Sequence, residues 1–438
     1  GSTYVAYLFA HDDQSFGDDS DESIIKCGSY TGNGNVVGPL IDLGFEPQFI
    51  MIKAASRTGH WFMLDVMRGI ITGSSDSSPG SNQYILANTS GAEGTTTSIN
   101  VNSTGFQPRT TDDSVNENSA TYIYIAIRRP MKTPEAGTEV FSPITSTGTG
   151  SARTLSGTFP TDLTFMHQRE ATDDGRTFAW DRLRGKSSML QLTNTSAEAG
   201  ITGVGFDVQN GLDLTDSGFS NYNTAPYITY LFKRAAGFFD VVAYTGNGSA
   251  RTINHNLTVV PEMIIIKCRT VTRPWLVYHS TLGNAATLNI TTTDGAVSSS
   301  TAWNTTTPTS SVFSVGAQNG VNQNGEGFIA YLFATLAGVS KVGSYTGTGS
   351  DLNVDCGFTS GARFIFIKRT DAAGDWYIWD SARGIVAGND PYFRPNVSGA
   401  EVTSTDYIDP LASGFTVTSS ASSTVNVSSG EYIFLAIA

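Results

Sequence analysis

Asp-x-x-Arg-Gly is the arrangement in this sequence that comes nearest to chemistry. It occurs as Trp61-x3-Asp65-x2-Arg68-Gly69 and again as Trp376-x3-Asp380-x2-Arg383-Gly384. A third copy keeps Asp181, Arg184 and Gly185 but has Thr177 in place of Trp, and a fourth keeps Trp275 and Gly283 but has His279 and Leu282. A carboxylate beside an arginine could serve as the acid of a glycoside hydrolase. That reaction needs two carboxyl groups at a set separation, and no second acid recurs at fixed spacing. The copy with His279 and Leu282 loses both charges together, which is how a structural ion pair is discarded without stranding a buried charge. The residues therefore read as an intradomain pair beside a glycine turn, with no catalytic residue among them. Trp61, Trp275 and Trp376 could stack on a sugar ring, but each lies next to an apolar strand and reads as core. Five histidines fall in no Ser/His/Asp or HExxH setting.

These marks sit inside a tandem repeat. Ser29-Tyr30-Thr31-Gly32-Asn33-Gly34 returns at Thr145–Gly150, Ala243–Gly248 and Ser344–Gly349. From the last glycine of that turn to the glycine of the second mark the distance is 35 residues every time (34 to 69, 150 to 185, 248 to 283, 349 to 384). Constant spacing under drifting sequence means that one set of strands and turns is reused. The later half of each unit varies in length, from 53 to 42, 45 and 48 residues before the closing aromatic at Tyr122, Tyr227, Phe328 and Tyr432, as surface loops do. The closing strands are near-continuous apolar runs, the pattern of a strand buried on both faces. Tyr4-Val-Ala-Tyr-Leu-Phe9 is a fifth copy with no unit before it, so residues 1–10 read as the closing strand of a preceding repeat and 11–23 as an acidic linker. The units are placed at 24–128, 139–234, 237–334 and 339–438.

Short strands with turn signals at regular spacing predict an all-β chain of four tandem antiparallel β-sandwiches, jelly-roll or lectin-like, with an immunoglobulin-like sandwich as the alternative. In the first unit the strands are expected at 25–31, 37–43, 48–54, 61–67, 83–87, 97–102, 106–109 and 122–127. Short linkers (129–138, 235–236 and 335–338) predict touching neighbours in a semi-rigid rod or arc.

The 438 residues carry 26 Lys and Arg against 39 Asp and Glu, a net charge of −13 that argues against a nucleic-acid partner. Only 15% of residues are charged, and Gly, Ser, Thr and Asn dominate where helix formers would be needed for a helical fold. No apolar run is long enough to insert in a membrane as a helix. Cys27, Cys268 and Cys356 form no CxxC pair and read as buried small hydrophobes in strands. Asn88-Thr-Ser-Gly-Ala-Glu93, Asn194-Thr-Ser-Ala-Glu198 and Asn396-Val-Ser-Gly-Ala-Glu401 are a third mark, read as a turn held by its own side chains. The acidic stretch from Asp12 to Glu22 is the candidate place for Ca²⁺, with a solvated linker as the commoner outcome. No metal site and no cofactor are assigned.

The run Ile24-Ile-Lys-Cys-Gly-Ser-Tyr-Thr-Gly-Asn-Gly34, the preceding Tyr-Leu-Phe-Ala-His, Gly44-Phe45-x-Pro47, the Trp-x3-Asp-x2-Arg-Gly mark and the Gly105-Phe106 strand together resemble a tandem domain of unknown function found in bacteriophage virion proteins, especially of marine phages. Units one and four resemble it well, and units two and three depart at the Trp or the Asp–Arg pair. The resemblance implies a non-enzymatic structural protein of the phage particle, located at the virion surface as a tail fibre, appendage or capsid-surface protein. Its expected partners are other virion proteins, a host surface glycan or receptor, and further copies of itself. A lectin-like or glycan-degrading surface protein and a bacterial adhesin are the alternatives.

Overall fold

A computed structural model describes residues 2–438 except 13, 14, 18, 19, 21, 75–79, 131, 171–175, 202, 216 and 217. The chain is almost entirely β-strand, and every described strand pairing is antiparallel. It divides into two compact units, Gly1–Lys132 and Thr133–Ala438. The first holds repeat 1, and the second holds repeats 2, 3 and 4.

Each repeat is a sandwich of one large and one small sheet. The opening strand (Ile25–Thr31, Phe141–Thr147, Phe239–Thr245 or Ser340–Thr346) lies beside the closing strand (Thr121–Arg128, Pro226–Phe232, Gly327–Phe333 or Glu431–Ile437). The closing strand pairs on its other edge with a central strand (Pro47–Ala54, Leu163–Gln168, Met263–Cys268 or Phe364–Arg369). The central strand then makes a hairpin with the strand that carries the Asp or His of the second mark (Trp61–Asp65, Thr177–Asp181, Leu276–His279 or Trp376–Asp380). First-with-last pairing is not the immunoglobulin arrangement, in which the first strand pairs with the second.

The Thr-Gly-x-Gly turn forms because its last residue needs a left-handed backbone: φ is +65° at Gly34 and Gly150 and +72° at Gly248 and Gly349. A buried asparagine six residues before each closing aromatic stitches this turn to the later loop. In repeat 4, Asn426 Oδ1 accepts from Thr348 N at 2.9 Å while its amide donates to Ser350 O and Thr418 O. Asn116, Asn221 and Asn322 do the same in the other repeats.

Alternation along the central strand sorts its side chains to two destinations. In repeat 3, Ile264 and Ile266 join Leu276, Phe313 and Phe328 in the sandwich core. Met263, Ile265 and Lys267 point the other way and are equally buried, since the whole strand is inaccessible. Those outward faces are covered by the neighbouring repeats. Phe165, Ile265 and Phe366 occupy one register position in repeats 2, 3 and 4 and meet with Phe232, Phe333 and Leu435 in a common apolar seam. Repeat 4 touches repeat 2 as well as repeat 3, so the three sandwiches close into a ring. The rod or arc expected from linker length is corrected for this unit: burying three apolar sheet faces against one another closes the array on itself.

Two further expectations need correction. Cys27 is only half-buried, and Cys356 is buried just beyond a strand, while Cys268 fits the expectation. The expected strand at 37–43 is confined to Ile41–Asp42, and Gly94–Thr96 is a strand that the sequence reading lacks.

Candidate functional site

The Asp-x-x-Arg-Gly mark is a turn at the end of a strand. Asp181 Oδ1 accepts from Arg184 N at 2.9 Å, and Asp181 O accepts from Gly185 N, with φ +80° at the glycine. Asp65 and Asp380 make the same turn with Arg68 and Arg383, closed by Gly69 and Gly384. In repeat 3 the imidazole replaces the carboxylate: His279 Nδ1 accepts from Thr281 N at 3.2 Å, and Gly283 closes the turn with φ +72°. The intradomain pair expected from sequence is present, with Asp–Arg side chains 2.5 Å apart in repeats 1 and 2 and 2.6 Å in repeat 4.

In repeats 2 and 4 the pair goes further than an intradomain contact. Tyr331 of repeat 3 donates its hydroxyl to Asp181 Oδ2 at 2.7 Å and accepts from Arg184 Nη2 at 3.2 Å. Glu198 of repeat 2 bridges Arg184 at 3.3 Å and Arg269 of repeat 3 at 2.8 Å. The junction of repeats 4 and 2 repeats every element. Tyr230 donates to Asp380 Oδ2 at 2.7 Å and accepts from Arg383 at 3.3 Å, and Glu401 bridges Arg383 at 3.4 Å and Arg169 at 2.7 Å. Asp181, Arg184, Asp380 and Arg383 have no exposed side-chain surface.

The junction of repeats 3 and 4 has lost the whole set. His279, Leu282 and Ala296 stand where repeats 2 and 4 have Asp, Arg and Glu. Leu435 and Thr370 stand where the facing repeat would bring Tyr and Arg. All five positions change together, and the backbone contact survives: Ala296 N donates to Thr370 O as Glu198 N does to Arg269 O. The physical reason is that a buried charge without its partner costs far more than the pair contributes.

The electrostatics follow. Burial opposes ionisation of Glu198, but Arg269 and Arg184 more than offset it and hold the carboxyl down to about 2. Burial, with the carboxylates of Asp380 and Asp181 and against the opposing Arg383 and Arg184, keeps the Tyr230 and Tyr331 hydroxyls protonated well beyond the ordinary tyrosine range. Burial pushes His279 down to about 4, so its imidazole stays uncharged at neutral pH.

Trp275 and Trp376 are buried, and their indole N–H groups donate to Gln191 O and Asn289 O of the preceding repeat at 2.8 and 3.1 Å. They are buried as expected, but in the seams between repeats and not in the sandwich cores. Lys267 and Lys368 donate across the same seams to Thr195 O and Thr293 O, and burial pushes both amines down to about 8. Repeat 2 has Thr177 and His167 at these positions, and the His167 ring stacks on Phe393 of repeat 4 at 4.0 Å. Trp61 of repeat 1 is half-buried.

The third mark caps strands: Asn88 and Asn396 accept from Trp61 N and Trp376 N, and Asn194 closes its own turn onto Ser196 N. Its glutamate is the bridging Glu198 or Glu401, a role that sequence spacing did not reveal. The stitching asparagines were also missed, although six residues separate each from its closing aromatic and that constancy was available. Among the described residues no group of three His, Cys, Asp or Glu is placed to hold a metal. In the acidic stretch, Asp13, Asp18, Asp19 and Asp21 lie outside the described residues, while Glu22 pairs with Arg128 at 3.0 Å. A network of buried Asp, Arg and Tyr side chains joined by largely buried Glu198 and Glu401 can hold domains together.

A family model for a domain of unknown function (DUF7483) matches residues 1–130 and 136–438, and the chain belongs to that family. No curated protein matches it.

Proposed function

We propose that this chain is a non-enzymatic structural protein of a bacteriophage particle, a tail fibre, appendage or capsid-surface protein that holds loops for contact with a host or another virion protein. The observation that carries the structural part of this reading is the ring of repeats 2–4. Its repeated polar marks are spent on buried contacts between sandwiches, which makes a rigid body and leaves the variable loops as the adaptable surface. The assignment to a phage particle rests on the sequence resemblance.

Two of the three tryptophans that favoured the lectin reading, Trp275 and Trp376, are sealed in seams between repeats and are unavailable for stacking. The glycosidase reading loses Asp181 and Asp380 for the same reason, while Asp65 keeps 25% of its side chain exposed. Mass spectrometry of purified phage particles tests the proposal. Peptides of this chain present at a fixed copy number per particle support it, and their absence from particles whose genome encodes the chain overturns it.

A further inference from the structure

The ring has three kinds of member, and repeat 1 has the full marks of one of them. The first member, repeat 2, brings Tyr230 and Arg169 to a junction but lacks the tryptophan and lysine. The middle member, repeat 3, brings Tyr331, Arg269, Trp275 and Lys267 but no Asp–Arg–Glu set. The last member, repeat 4, brings Trp376, Lys368, Asp380, Arg383 and Glu401, with Leu435 and Thr370 in place of Tyr and Arg.

Strand register places the residues of repeat 1 on the same scale. It has Trp61, Lys53, Asp65, Arg68 and Glu93, with Ile125 at the tyrosine position and Ala55 at the arginine position. It matches the last member at all seven positions.

The face that carries these residues is uncovered. In repeats 2–4 the central strand and its hairpin partner are buried almost throughout. In repeat 1 the outward side chains Phe49, Met51, Met63, Ile125 and Ile127 are half-buried, Ile123 is 41% exposed, and Ala55 and Glu93 are exposed. Asp65 and Arg68 are 25% and 21% exposed where their counterparts are fully buried. Arg68 Nε has no hydrogen-bond partner among the described residues, whereas Arg184 Nε and Arg383 Nε each hold the aspartate.

We infer that the outward face of repeat 1 closes a second ring with two further sandwich domains of this same family. One, of the first-member kind, presents a tyrosine hydroxyl to Asp65 and Arg68 and a guanidinium to Glu93. The other, of the middle-member kind, offers loop carbonyls to Lys53 and Trp61. Two arguments select these occupants over a second copy of repeat 1. The apolar face continues an interface type already built three times in this chain. A repeat 1 from another chain would bury Asp65, Arg68 and Glu93 against Ile125 and Ala55, a pairing that occurs at none of the three junctions and leaves the charges unanswered. The segment Tyr4–Phe9 carries a tyrosine in the same pattern: it reads as Tyr227–Phe232 and Phe328–Phe333 do, with Tyr7 at the position of Tyr230 and Tyr331. This inference is independent of the phage assignment.

The test supplies the missing half. The full 438-residue chain and its Ala55→Arg/Ile125→Tyr variant are compared by sedimentation equilibrium at low micromolar concentration. Both changes lie at exposed or half-buried positions, and a melt confirms folding. Wild type is expected at 46.6 kDa, and the double variant at three times that mass, because each repeat 1 then carries both halves of the junction. Adding Asp65→Asn and Glu93→Ala to the double variant is expected to return the monomer. A wild-type chain that trimerises makes a second copy the occupant and overturns the assignment. A folded double variant that stays monomeric overturns the ring interface itself.

Discussion

Replacing Arg184 with leucine, the residue that repeat 3 carries at this position, tests the coupling across the ring. Arg184 Nε and Nη1 hold Asp181 and Glu198, and its Nη2 donates to Tyr331 and to Ala179 O. Leucine leaves two buried carboxylates facing an apolar side chain. Breaking a buried pair in this way costs about 3–5 kcal/mol. The ring unit spans roughly 300 residues, so its unfolding entropy is about 0.6 kcal/mol per degree and the expected loss in Tm is about 5–8 °C. The informative comparison is the complete exchange to the pattern of the apolar junction, Asp181→His, Arg184→Leu, Glu198→Ala, Arg269→Thr and Tyr331→Leu. Five changes made together leave no charge stranded, and the variant is expected to recover to within about 2 kcal/mol of wild type. Calorimetry on the folded chain reads both. A single substitution with no effect on Tm, or a five-position variant no more stable than Arg184→Leu alone, refutes the claim that these positions form one unit.

Other consequences are directly measurable. Arg383→Ala is expected to lower Tm by several degrees, and Arg68→Ala by a degree or two at most, because the Asp65–Arg68 pair is partly solvated and screened; equal losses would contradict the difference in burial. Asn426→Ala removes the side chain that stitches the turn of repeat 4 and strands Thr348 N and the Ser350 and Thr418 carbonyls, at a cost of about 2–4 kcal/mol seen as a lower urea midpoint. The ring should weaken as pH falls from about 6.5. Burial lowers His279 to about 4 and His167 to about 3, so their stabilising effect is complete above the unfolded value and is lost as pH drops through that window. His279→Asn, which retains a side-chain acceptor for the turn, should reduce the slope of stability against pH between 6.5 and 4, with the remainder set by His167, and an unchanged slope would show that His279 does not contribute to it. Glu198, held near 2 by Arg269 and Arg184, has the usual carboxylate sign: its contribution is present above the unfolded value and disappears only in strong acid.

Much of each sandwich was legible in the chain. In repeat 1 the opening strand was placed at its observed bounds, and the central and closing strands to within a residue at each end, because alternation, turn glycines and fixed spacing are local signals. The closing run Phe328-Ile-Ala-Tyr-Leu-Phe333 announced burial on both faces, and the joint loss of charge at His279 and Leu282 announced a structural pair. What covers the second face was not announced. Tyr331 is 150 residues from Asp181, Arg169 is 232 from Glu401, and no spacing rule links them. Only closure of the ring brings a tyrosine on one closing strand to an aspartate at the end of another repeat's strand. A sequence can state which side chains must leave water, since that depends on each strand's own period. Which neighbour receives them is a property of the packed assembly, where the cost of a stranded charge couples residues that the chain itself keeps far apart.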